Sequence, residues 1–403
     1  MEHDRPGFTA FDADALQEGH MDDFTATPTL SDVDRAALAR MHAVVPAWRG
    51  VAQAGDVMDF PARTLLHAGP PIDLARMARP ILNSAAMATV LENWAHDAAE
   101  AEARILAGEI RLAPAQDHRA MVPLAAILSP SMAAHVVIDL ADPGRRVYAP
   151  INGGMAKAQR LGLAGPDILA HLRWINGNLA ATLSIIADRD VPLLPIADAA
   201  LAEGDDCHGR TAGGTRLVIA AIAPRLGADT LERHFLDGAP GFFLNLWMAA
   251  AKLMAGAGEI PGSTLITAMG ANGVDTGVQL GGRPGHWFTV PSTPPEGPLV
   301  EGASPDDRLG AIGDSALVDA LGFGGMLTAP DEPLRTCLLP LEHPAFVNSH
   351  ARVGLPASRL VAHASPLNVT LGILDRAGRR GRIGGGLYAP PLSVFTEALQ
   401  GLS

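Results

Sequence analysis

The sequence predicts an α+β fold: mixed α/β domains with an inserted helical subdomain. Short strand-like and helical stretches alternate through the first 165 residues, the pattern of a mixed α/β layer. Between about 166 and 256 apolar residues repeat at helical spacing instead. Beyond 257, short β-like segments are separated by glycines, as in an antiparallel meander. The expected division is a flexible arm over 1–30, an N-terminal α/β domain over 31–165, the helical subdomain over 166–256 and a C-terminal α/β domain over 257–403.

Taken in order, Ser31-Asp32-Val33-Asp34 starts a helix whose apolar face is Ala37, Leu38, Met41 and Val44. Pro46 ends it and leaves Trp48 as a packing anchor. Arg63 to Pro71 reads as a strand running into a turn, with His67 either a structural or a functional histidine. Helices are expected over 74–83 and from Ala86 to about Leu106, then a strand over 110–114, a polar loop over 116–119 and the clear strand from Ala134 to Leu140. Residues 167–186 read as one helix, followed by a short helix over 193–201 and apolar helices over 215–226 and 242–255. On the last of these, Asn245 and Lys252 are two turns apart and share a face, so both need polar partners inside an apolar helix. Strands follow over 263–269, 274–280 and 287–290, then a proline-rich loop and a helix opening after Gly310 to Ala316. Leu360-Val361-Ala362 and 370–374 read as strands, with Arg376, Arg379, Arg380 and Arg382 set among glycines nearby.

A chain of 403 residues with 48% hydrophobic and 18% charged residues has ample material for a buried core, filled mainly by aliphatic side chains because aromatics make up only 4%. The formal charge of −13 argues against nucleic acid, so a small anionic substrate requires cations converging locally. Two cysteines, Cys207 and Cys337, make neither a disulfide framework nor a four-thiolate zinc site. No apolar run approaches the roughly 20 residues of a spanning helix, and the acidic N-terminus does not resemble a signal peptide, so a cytoplasmic protein without membrane contact is expected. No internal repeat, dinucleotide fingerprint or P-loop is found.

The chemistry centres on Gly204-Asp205-Asp206-Cys207-His208-Gly209-Arg210-Thr211. Asp205 or Asp206 either holds a divalent cation or orients His208, while Arg210 suits a planar carboxylate or phosphate. The alternative is a polar helix N-terminus in which Asp meets the dipole and Arg pairs with it. Gly313-Asp314-Ser315 offers amides to an anion, and Asn272 and Thr267 can orient an amide. The arginine-glycine stretch that contains Arg382 is either a solvated loop or a local positive field for such an anion. No cofactor is expected beyond that possible cation.

Several of these motifs occur in one order in a known family: 66–71, the 204–210 cluster, Phe242-Phe243-Leu244-Asn245-Leu246 with Ala249 to Lys252, 263–269 with Asn272-Gly273, Trp287-Phe288-Thr289 and Ile312 to Ala316. From about residue 33 to its end the chain resembles the oxamate carbamoyltransferase G-subunit family, as a divergent member. Where relatives carry Asn-Glu-Gly this chain has Asn152-Gly153-Gly154, and their Gly-x-Gln-Ile-Gly is Gly381-Arg382-Ile383-Gly384. The resemblance implies exchange of a carbamoyl group between oxalurate and phosphate, giving oxamate and carbamoyl phosphate in allantoin catabolism. It also implies partners, an acyl-CoA-synthetase-like subunit and a further small subunit, in an oligomeric assembly. Under it His208, Asp205, Asp206 and Asn272 are the catalytic candidates. His67, Arg210, Asn245, Lys252, Thr267, Gly313, Asp314, Ser315 and Arg382 are the substrate-binding candidates, gathered around one small-anion pocket with His208 and Asp314 on its wall. The alternatives are a non-catalytic scaffold subunit of such a complex and an amide hydrolase.

Overall fold

The computed structural model describes residues 30–184, 189–227, 229–327 and 354–402, so the expected arm, all but Leu30, and Cys337 lie outside the described residues. The fold is α+β, as expected. One antiparallel sheet has the order Arg146–Pro150, Ala133–Asp139, Pro46–Gln53, Val191–Pro192. A second, Phe288–Pro291, Asp275–Leu280, Ile266–Asn272, Ile312–Gly313, contains the expected meander. A small sheet sets Thr64–His67 between a parallel Arg111–Pro114 and an antiparallel Ile127–Leu128. Val369–Leu374 and Arg382–Tyr388 form a separate hairpin.

The helix Phe242–Ala257 packs against strands of both larger sheets, which is why its sequence is apolar on every side. Its Phe242 and Trp247 belong to a core cluster that also holds Met41, Trp48, Leu265 and Phe395. Trp48 is the anchor expected, but it sits within the strand Pro46–Gln53 rather than in a loop. That strand escaped notice because Pro46 opens it and Gly50 marks a register shift, both residues that normally count against strands.

Other expectations need correction. The single helix expected from Ala86 to Leu106 is two, Arg79–Leu91 and Ala98–Leu106. Asn93 takes a left-handed φ of 57°, which stops the first, and Asp97 accepts from Glu100 N to start the second. The helix expected over 74–83 is a 3-10 turn, Leu74–Arg76, followed by the start of Arg79–Leu91. Leu360-Val361-Ala362 is part of the helix Ala357–Ala362, not a strand, since an apolar run that short carries no period of its own. The stretch over 167–186 is Pro166–Trp174, a π-helical turn over Ile175–Leu179 and Ala180–Ser184.

Candidate functional site

His208 lies in the tight turn ahead of the helix Ala212–Ile222. Asp206 builds that turn: its Oδ1 accepts from the backbone N–H of both His208 (2.8 Å) and Arg210 (2.9 Å). Asp205 Oδ2 accepts from Gly214 N at 2.8 Å, within the first turn of the same helix. Asp206 thus braces the turn and Asp205 the first turn of the helix, and neither carboxylate is hydrogen-bonded to the imidazole. The residue that orients it is Asp319, whose Oδ2 lies 2.5 Å from His208 Nδ1. Asp319 Oδ1 is fixed in turn by the amides of Gly325 (2.7 Å) and Thr370 (3.0 Å). With Nδ1–H donating to the carboxylate, the neutral ring leaves its lone pair on Nε2, which has no hydrogen-bond partner among the described residues. Burial raises the Asp319 carboxyl above its ordinary range, opposed by His208 and the two amides. Cys207 is buried and its thiol is pushed well up by burial, which suits packing rather than nucleophilic attack.

The hairpin beside this dyad brings in charge. Thr370 sits so close to Gly209 that a Cβ there would lie 2.6 Å from Thr370 Cγ2. Two residues along the strand, on the same face, Gly372 faces the Arg382 side chain and Leu124. Arg382 donates from Nε to Gly384 O (2.8 Å), and its charge bears on Arg160. Arg160 donates to Gly154 O at 2.7 Å, while its Nε is buried without a partner. Burial first, and Arg382 second, lower the Arg160 guanidinium to about 10. Neither arginine is ion-paired to a carboxylate among the described residues, whereas Arg380 of the same loop pairs with Asp307 and Asp375. Two guanidiniums close together without an acid between them form a local positive field. Arg210, exposed, is paired with Asp206 at 3.4 Å, two residues from His208.

Asp314 is not beside His208. It precedes the short helix Ala316–Ala320 that carries Asp319, and it is the hub of a second buried group. Its Oδ1 accepts from Gly69 N (2.9 Å) and Gln116 Nε2 (2.7 Å), and its Oδ2 from Val122 N (3.0 Å). Burial pushes this carboxyl up to about 7 against those donors and the charge of Lys252. Space for it comes from missing side chains: a Cβ on Gly270 would lie 2.6 Å from Asp314 Oδ1, and one on Gly69 2.4 Å from the Ala271 carbonyl carbon. Gly69 also has φ +77°. Gly69→Ala is thus expected to cost about 3 kcal/mol or more, overpacking plus a left-handed penalty, read as a lower urea midpoint at constant slope.

The remaining candidates divide. Lys252 Nζ donates to Thr267 O (2.9 Å) and lies 3.5 Å from Glu259, so it joins the Asp314 side. Thr267 Oγ1 is buried without a partner. His67 is buried, its Nδ1 against Ala68 O, and desolvation lowers it to about 4. Gly313 faces Leu124 at a φ of +123°, and Ser315 is buried next to it. Asn245 is tied to Pro150 O and Asn152, and Asn272 to Pro70 O and the amides of Val274 and Asp275, so both amides brace loops. Among the described residues no group of three or more His, Cys, Asp or Glu is placed to hold a metal. Asp319, Arg160 and Gln116 were not among the site candidates, although Gln116 opens the polar loop expected over 116–119. Asp319 carried a usable signal, a lone carboxylate inside Leu317-Val318-Asp319-Ala320-Leu321, the criterion that singled out Asn245 and Lys252.

Fold and site together define an α+β protein with a buried imidazole–carboxylate dyad held against a hairpin whose Arg382, like Arg160, has no carboxylate partner among the described residues. The chain belongs to the family of the oxamate carbamoyltransferase subunit AllG, whose sequence profile matches residues 110–315. It is 30% identical over 411 residues to the oxamate carbamoyltransferase subunit AllG of Escherichia coli (strain K12), covering 93% of this chain and 98% of that one. It is also 30% identical over 407 residues to the uncharacterized protein YahG of the same organism, covering 92% and 86%. Among solved structures, it is similar to a conserved protein of unknown function from Enterococcus faecalis V583, with TM-score 0.85 and 27% identity over 92% of this chain and 96% of that one.

Proposed function

We propose that this chain is a subunit of a carbamoyltransferase acting on a small amide or ureido acid, with oxamate and carbamoyl phosphate, or oxalurate and phosphate, as the reacting pair. The reading rests on one observation: the His208–Asp319 dyad abuts Thr370 of the hairpin strand whose Gly372, on the same face, lies against Arg382, and Arg382 and Arg160 carry positive charge with no carboxylate partner among the described residues. In the forward direction the oxamate nitrogen attacks the carbamoyl carbon. A C–N bond forms as the C–O bond to phosphate breaks, and Nε2 of His208 takes the N–H proton while Asp319 stabilises the imidazolium. In reverse the imidazolium returns that proton to the leaving nitrogen. The arginines hold the carboxylate or phosphate oxygens through charge-assisted hydrogen bonds. The family relationship supports assembly with other subunits, and an acyl-CoA-synthetase-like subunit with a further small subunit is the assembly to reconstitute.

The test is transfer from carbamoyl phosphate to oxamate in that reconstituted complex. His208→Gln is expected to lower kcat by at least about 100-fold with unchanged circular dichroism and unchanged assembly. A variant that assembles and turns over at the parent rate overturns the assignment.

A further inference from the structure

On the Lys252 side of the molecule a cleft of about 630 Å³ opens, a volume in the range of roughly 300–1,000 Å³ typical of small-molecule sites. Neither His208, Asp319, Arg160 nor Arg382 lines it. Its walls carry five cations, Arg40, Arg119, Arg145, Arg146 and Lys252, from separate parts of the chain, against two carboxylates, Asp117 and Glu259. Those two are already engaged: Asp117 accepts from Gln279 Nε2 (2.7 Å) and Trp287 Nε1 (3.1 Å), and Glu259 faces Lys252. Arg145 is paired with Asp142 and Asp139. Arg40, Arg119 and Arg146 have no carboxylate partner among the described residues, and the only side-chain bond of Arg146 is from Nε to Pro143 O.

Three guanidiniums on one cleft wall with no carboxylate partner among the described residues are unexpected in a chain with 43 acidic and 30 basic residues. The backbone adds to the case. Arg119 holds φ 56°, a left-handed conformation uncommon for a long side chain, and it is locked there by Arg119 N to Gln116 O and by Tyr148 N to Arg119 O. Below the rim, Lys252 and Gln116 form a buried polar floor.

We propose that this cleft is a second ligand site, for a molecule bearing two or more linked phosphates, with Arg40, Arg119 and Arg146 on the phosphate oxygens. A single carboxylate or orthophosphate meets only the guanidiniums within reach of one small group, whereas these three come from separate parts of the chain. A linked chain of phosphates can span them, and the cleft volume has room for it. The site is independent of the proposed transfer centre.

The test is calorimetric titration of the full-length chain with inorganic pyrophosphate, tripolyphosphate and orthophosphate at low salt. Affinity is expected to rise with the number of phosphates and to fall as salt is added. The double variant Arg119→Gln/Arg146→Gln is expected to weaken pyrophosphate binding at least about tenfold. Arg216→Gln, which removes one arginine from a distant helix, is expected to leave it unchanged. Equal affinity for orthophosphate and pyrophosphate, absence of pyrophosphate binding, or equal weakening by Arg216→Gln would each overturn the proposal.

Discussion

Asp314→Ala is expected to lower the unfolding free energy by about 4 kcal/mol at pH 7, because it strips acceptors from two buried amides and one buried side chain at once. The amides of Gly69 and Val122 have no other acceptor among the described residues, whereas Gln116 Nε2 keeps Met269 O at 2.9 Å. Each orphaned amide costs roughly 1–3 kcal/mol. Asp314→Asn retains the shape but turns an NH2 toward an N–H donor, so it should fall between parent and alanine. The loss also depends on pH. The folded carboxyl, near 7, binds its proton more tightly than the unfolded one at 3.8. Its contribution is therefore complete below about pH 4 and declines as pH rises through 7. The gap between parent and Asp314→Ala should widen by roughly 2–3 kcal/mol between pH 8 and pH 5. Denaturant unfolding at several pH values measures this, and an alanine variant within 1 kcal/mol of the parent would show that the hub is not structural.

His135→Phe is expected to make the protein markedly more resistant to acid. The His135 ring is packed edge-on against Trp48 and Phe242, each at 5.3 Å between centroids, and neither nitrogen has a hydrogen-bond partner. Burial alone lowers it to about 3. For a depressed histidine the stability is present above its unfolded value near 6.5 and is lost as pH falls toward the folded value. From pH 6.5 to 4 the parent should lose about 3 kcal/mol relative to the phenylalanine variant, which has nothing to protonate. His67, lowered to about 4, adds to the acid sensitivity of both proteins, while Asp314 opposes it; taking the difference between variant and parent isolates His135. A pH-independent difference between the two proteins would refute the account.

The motifs legible in the sequence were those whose chemistry is local. The Asp205–Thr211 turn shows its capping residues within a few positions of one another. The meander after 261 shows in its glycines, and the core helix Phe242–Ala257 in an apolar run interrupted only by Asn245 and Lys252. The errors arose where a local signal was ambiguous or masked. Pro46 and Gly50 concealed a central strand, and Asn93 broke what periodicity joined into one helix. The site suffered in the same way: Asp206 stands two residues from His208 and was an obvious candidate to orient it, yet the imidazole turns to a carboxylate 111 residues away.

From the order of residues alone came the α+β class, the family and many of the polar residues worth examining. Pairing came only from the folded chain. Which carboxylate meets His208, that Asp314 binds Gly69, Gln116 and Val122 instead, and that the charge of Arg382 bears on Arg160 are interactions between segments far apart in sequence. Composition and spacing report the local preferences of the backbone. A buried charge is matched to its partner by desolvation and hydrogen bonding once the sheets and the central helix have packed.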